Sequence, residues 1–142
     1  MGADNSLVQE YLIKGWDFAR AGEASCEIKN TLKEIGVSQD VIRRVAIASY
    51  EAEMNVVMYA RQGKMRCEID TSTIKINVDD EGPGIENIEE AMKEGFSTAT
   101  PEMREMGFGA GMGLPNIKRN SDFFEVSSVL GNGTKLTMIF NL

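Results

Sequence analysis

Met65-Arg66-Cys67-Glu68-Ile69-Asp70-Thr71-Ser72-Thr73-Ile74-Lys75-Ile76-Asn77-Val78-Asp79-Asp80-Glu81-Gly82-Pro83-Gly84 holds two β-rich runs, a polar turn between them, and a Pro-Gly turn behind. Cys67 and Ile69, then Ile74, Ile76 and Val78, recur at every second position, the period of a half-buried strand. The runs 65–70 and 73–79 therefore read as a hairpin. Its one apolar face needs a cover, and the flanking sequence offers helices to supply it.

Upstream, Ser38 is placed as an N-cap, with Asp40 in the first turn and Val41, Val45, Ile47 and Ala48 carrying a helix to about Ala60, ended by Gly63. Before it, Ala24, Ile28, Leu32 and Ile35 fall at helical spacing, and Gly36 stops that run. Leu7 to Phe18 alternates loosely and reads as a strand at a sheet edge. Downstream, a short helix is expected from Ile88 to Lys93, then a mobile loop from Gly95 to Gly113, long enough to suggest function. A helix from Leu114 to Asn120, a strand Phe123 to Val129, a Leu130-Gly131-Asn132-Gly133 turn and a strand Thr134 to Phe140 close the chain. Strands and helices arrive in segregated pairs more than in strict alternation. The expectation is an α+β two-layer sandwich, a mixed and mostly antiparallel sheet covered on one face by helices, in a single domain over 1–142.

Composition narrows the chemistry. The 142 residues are 42% hydrophobic, enough for one core, and carry a net charge of -7. That balance disfavours nucleic acid or an anionic membrane as the main partner. There is no histidine, which removes Ser-His-Asp and Cys-His nucleophile activation and any phospho-accepting histidine, and so excludes a complete autophosphorylating histidine kinase. Cys26 and Cys67 are too few for a disulfide scaffold or a zinc site and are expected to be reduced, packed thiols. With no long apolar run and no secretory layout at the amino terminus, a cytoplasmic protein is expected. Met1-Gly2-Ala3-Asp4-Asn5-Ser6 fits the loose N-myristoylation pattern, but chance or a cloning remnant explains it.

Four short motifs carry the functional reading. Glu51-Ala52-Glu53-Met54-Asn55 puts Glu51 and Asn55 on one helix face, one turn apart. A carboxylate and an amide so placed can hold Mg²⁺ and orient a hydroxyl or water toward a phosphate, although such a pair alone is usually a solvated face. Asp80-Glu81-Gly82-Pro83-Gly84 follows a strand; its glycines permit a sharp turn against a flat ligand, and its carboxylate can accept from an exocyclic amine. Gly107-Phe108-Gly109-Ala110-Gly111-Met112-Gly113 precedes a helix, where backbone amides can cradle phosphates. A Rossmann loop would need a preceding strand and a βαβ unit for which no room remains. Gly131-Asn132-Gly133-Thr134 opens the last strand, and the Thr134 hydroxyl can reach a bound base.

In this order the motifs resemble the N, G1, G2 and G3 boxes of the GHKL (histidine kinase-like) ATPases, from about Ser49 to Phe140. The lone domain, together with Glu94-Gly95-Phe96-Ser97-Thr98 and Gly113-Leu114-Pro115-Asn116-Ile117-Lys118-Arg119, resembles the serine kinases of bacterial partner-switching modules, anti-sigma factor kinases and stressosome switch kinases among them. The resemblance implies the Bergerat-type fold, with ATP and Mg as cofactors. It implies a small STAS-domain antagonist as substrate, a sigma factor or phosphatase as further partner, and pairing with a second copy. By the same resemblance Glu51 is the general base or a water-orienting carboxylate, and Asn55 the Mg²⁺ ligand. Asp80 accepts the adenine amine, Gly82 and Gly84 shape the pocket floor, and Thr134 closes its far side. Gly109, Gly111 and Gly113 meet the phosphates, Gly95 to Met106 form a lid, and Arg104 is a candidate for the γ-phosphate. Glu53 points to another face, so Glu53→Ala is expected to be mild. The alternative is a nucleotide-gated binding module that sequesters or activates a regulator with little catalysis.

Overall fold

The alternation of the inner strands reappears as burial in the computed structural model, which describes residues 6–85, 87–93 and 113–142. In β2 (Gln62–Ile69) and β3 (Thr73–Asp80), the side chains of Met65, Cys67, Ile69, Ile74, Ile76 and Val78 are buried, while their neighbours along each strand are more open. β5 (Gly133–Asn141) adds Leu136, Met138 and Phe140 to that face. Burying each of these side chains contributes about 1.5–3 kcal/mol.

The sheet runs in the order β1-β2-β3-β5-β4, with β1 (Leu7–Lys14) and β4 (Phe123–Val129) at its edges. All four pairings are antiparallel, so the mostly antiparallel expectation is met without a parallel pair among the described strands. Two long helices form the second layer: α1 (Glu23–Glu34) and α2 (Gln39–Tyr59). α2 crosses the sheet against β1, β2, β3 and β5, and α1 packs on α2 and β1. Two short helices, α3 (Ile88–Ala91) and α4 (Gly113–Asn120), complete the described helices, and α4 packs mainly on α2. This is the expected two-layer α+β form. No helix among the described residues is long and apolar enough to cross a membrane.

Local signals behave as their chemistry requires. Ser38 caps α2, its Oγ accepting the Val41 N–H at 3.4 Å. Three expectations shift. The first strand stops at Lys14 instead of Phe18, because Trp16 takes a left-handed φ of 60° and donates its N–H to the Val57 carbonyl at 2.7 Å, turning the chain off the sheet. Gly63 does not end the helix; it lies within β2, where a Cβ would come 2.8 Å from a Val56 methyl. Cys67 is packed, and burial pushes its thiol up to about 12, but Cys26 is exposed on the outer side of α1.

Candidate functional site

The site is built outward from α2. Glu51 and Asn55 are both half-buried on this helix, while Ala52, Met54 and Val56 beside them are buried. α4 lies across them. The Asn116 Nδ2 donates to Glu51 Oε2 at 2.7 Å. One turn along α2, Gly113 faces Asn55, and a Cβ there would sit 3.3 Å from Asn55 Oδ1. Glycine thus admits the amide close to the start of α4. Among the described residues the Asn55 amide has no hydrogen-bond partner.

Asp80 ends β3 at the far end of α2. Its Oδ1 accepts the N–H groups of Gly82 and Thr134, each at 3.0 Å. These bonds fix the carboxylate and leave Oδ2 without a partner among the described residues. Burial raises the Asp80 pKa above the usual aspartate value, with the two N–H donors pulling the other way. Thr134 is buried at 9% exposure. Gly133 has φ 101°, and a Cβ on it would stand 2.0 Å from the Asp80 carbonyl oxygen; only glycine lets β5 pass so close to β3 here. Gly84, at φ 79°, is also tight, with a Cβ there 2.6 Å from the Val129 carbonyl oxygen.

Two contributors escaped the sequence reading. Ser128 Oγ accepts the Ile85 N–H at 2.6 Å and lies 3.0 Å from Thr134 Oγ1, tying the Gly82–Gly84 turn to the β4–β5 hairpin. A serine in a strand carries no local signal of that role. Asn116 stood in a quoted stretch, but its partner lies 65 residues away.

Glu53 is a correction. It is 2% exposed, and its carboxylate accepts the N–H groups of Gly22, Ala24 and Ser25 at 3.0, 3.2 and 3.0 Å. It serves as the acceptor for the first turn of α1, whose N-cap Gly22 has no side chain to offer. A mild effect of its removal is therefore not expected.

The structure brings Glu51, Asn55 and Gly113 to one group, and Asp80, Gly82, Gly84 and Thr134 to another. They are joined by α2 itself, because Gly82 packs against Ala60 at the helix end, where a Cβ would lie 3.3 Å from Ala60 Cα. Gly109, Gly111, the segment 95–106 with Arg104, and the amino-terminal Gly2 lie outside the described residues. Among those described, no cluster of three or more Cys, Asp or Glu forms a ready metal cage. A metal held here would take its remaining ligands from phosphate and water.

Comparison with known proteins adds an independent line. A family model described as a histidine kinase-like ATPase domain matches residues 17–140. The chain is 33% identical over 140 residues to the serine/threonine-protein kinase RsbT of Bacillus subtilis, covering 96% of each. It is 33% identical over 144 residues to an anti-sigma F factor of Clostridium acetobutylicum, covering 95% of this chain and 92% of that one. An anti-sigma F factor of Clostridium beijerinckii is 29% identical over 144 residues, covering 96% and 94%.

Proposed function

The chain belongs to the histidine kinase-like ATPase domain family, and from that premise we propose that it is an ATP- and Mg²⁺-dependent protein serine/threonine kinase of a partner-switching regulatory system. Its substrate is a serine or threonine on a small STAS-domain antagonist. The observation that carries the reading is the linear order of groups along one helix. Asp80 lies at the end of α2 beside Ala60, Asn55 about 7.5 Å back along the axis at 1.5 Å per residue, and Glu51 one turn further. That order matches a nucleotide laid along α2 with adenine at Asp80 and phosphates at Asn55.

Each residue then has one task. Asp80 Oδ2 accepts the 6-amino group of adenine, while Gly82, Gly84 and Thr134 form the walls. The oxygen of Asn55 would hold Mg²⁺, and Gly113 leaves space for the phosphate chain at the head of α4. Bound Mg²⁺ supplies neutralisation of phosphate charge. Glu51 orients the attacking hydroxyl and takes its proton. Phosphoryl transfer demands mostly positioning and charge compensation, so few side chains suffice.

Asp80→Asn tests the adenine end. Asparagine keeps an oxygen for the Gly82 and Thr134 N–H groups, so melting is expected to change little. Its amide nitrogen replaces Oδ2 and donates where acceptance is needed. ATP affinity should fall about 10- to 100-fold, in line with an unpaired polar contact of roughly 1.5–3 kcal/mol. Calorimetry with Mg²⁺-ATP measures it, beside phosphate transfer by the wild-type chain to a STAS protein. Undiminished ATP affinity in the variant would remove Asp80 from the site; no binding by the wild type at millimolar nucleotide would end the ATPase reading.

The relatives named anti-sigma F factor favour a second reading, a module whose nucleotide controls its grip on a regulator. Tight Mg²⁺-ATP binding without transfer to any STAS substrate would select it.

A further inference from the structure

We propose that Asn116 is a positioning residue for phosphate transfer: its side-chain amide holds the Glu51 carboxylate in the orientation that accepts a proton. The inference rests on the kinase reading and adds a residue to it. A glutamate on a helix face, half-exposed, samples several rotamers, and its two oxygens are equivalent until something distinguishes them. Here Asn116 Nδ2 occupies Oε2 at 2.7 Å, the distance of a charge-assisted hydrogen bond. Oε1 has no partner among the described residues. One oxygen is fixed and the other is left to receive a proton, which is what a general base requires.

The backbone that carries the amide is itself held. Asn116 lies on α4 between Pro115 and Ile117, which are buried with Leu114 against the rest of the molecule. Its backbone carbonyl accepts from Asn120 Nδ2 at 2.8 Å. The same short helix begins at Gly113, in contact with Asn55. α4 therefore holds the carboxylate through Asn116 while its first residue borders Asn55, so a group seated at Asn55 and Gly113 finds Glu51 already aimed.

A tie between two helices could also be structural only, and a double-mutant cycle separates the two roles. Single-turnover phosphate transfer is measured for the wild type, Asn116→Ala, Glu51→Gln and the double variant, with Mg²⁺-ATP affinity and melting temperature recorded for each. Asn116→Ala is expected to slow transfer at least tenfold in the wild-type background, with ATP affinity within twofold. In the Glu51→Gln background, where no base remains to aim, the same change should cost less than twofold. Equal losses in both backgrounds, or a loss matched by weaker ATP binding, would overturn the positioning role and leave the kinase reading intact. Absence of transfer by the wild type would overturn both. Should Asn116→Ala fail to fold, Asn116→Ser carries the same cycle with a shorter side chain in its place.

Discussion

Glu53→Ala is expected to lower the unfolding free energy by about 3–5 kcal/mol, since two buried N–H donors are orphaned at about 1–3 kcal/mol each and a void is left. Three N–H groups at the start of α1 lose their acceptor, and two of those bonds are buried. Alanine also leaves a void where a 2%-exposed side chain stood. For a chain of this length that corresponds to a melting temperature lower by on the order of 10 °C. Glu53→Gln should fall between, because a single amide oxygen cannot serve donors that now reach both carboxylate oxygens. Thermal unfolding followed by circular dichroism reads both. A change below about 1 kcal/mol for the alanine variant would mean that α1 is not anchored through Glu53.

Asn55→Ala is expected to act on function with little effect on folding. The amide is half-buried and has no hydrogen-bond partner among the described residues, so its loss orphans nothing in the core. The Mg²⁺-dependent part of ATP binding should disappear, and transfer should slow by about 10²–10³-fold, as when one preorganised electrostatic contact to a transition state is deleted. Titrating ATP into the variant with and without Mg²⁺ isolates the effect. If the metal still strengthens binding as in the wild type, its ligand lies elsewhere. The contrast with Glu53, two positions away on the same helix, is the point of making both variants: one should melt early, and the other should melt normally and be inactive.

Much of the fold was legible because its signals are local. The period of two in 65–70 and 73–79, the Ser38 cap and the Asn132-Gly133 turn each depend on residues within a few positions of one another. Asp80 stood out as a candidate for the same reason, through the glycines that follow it, and the structure shows it held by the N–H groups of Gly82 and Thr134. What escaped depends on distant partners. Glu53 meets Gly22 across 31 residues, and Asn116 meets Glu51 across 65. Nothing beside Glu53 marks it as an acceptor, since the helix it serves carries a bare glycine at its cap. Trp16 misled for a different reason: its apolar side chain prolongs the alternation of β1, while its backbone has already left the sheet. Sheet order was hidden too, because β5 inserts between β3 and β4 through pairings that no neighbouring residues specify.

That insertion bears on how the chain is made. During synthesis from the amino terminus, β1, β2 and β3 can pair as a meander as they emerge, but β3 then shows an open edge, and β4 has no partner until the strand after it has left the ribosome. β5, made last of the five, closes both edges at once and brings Phe140 and Met138 into the core. The same event delivers the Thr134 N–H to Asp80. The group formed by Asp80, Gly82 and Thr134 is thus assembled in the final step of sheet formation. A nascent chain lacking β5 lacks the Thr134 N–H that holds Asp80, so the Asp80 carboxylate takes its fixed position only on a molecule whose translation has passed that strand.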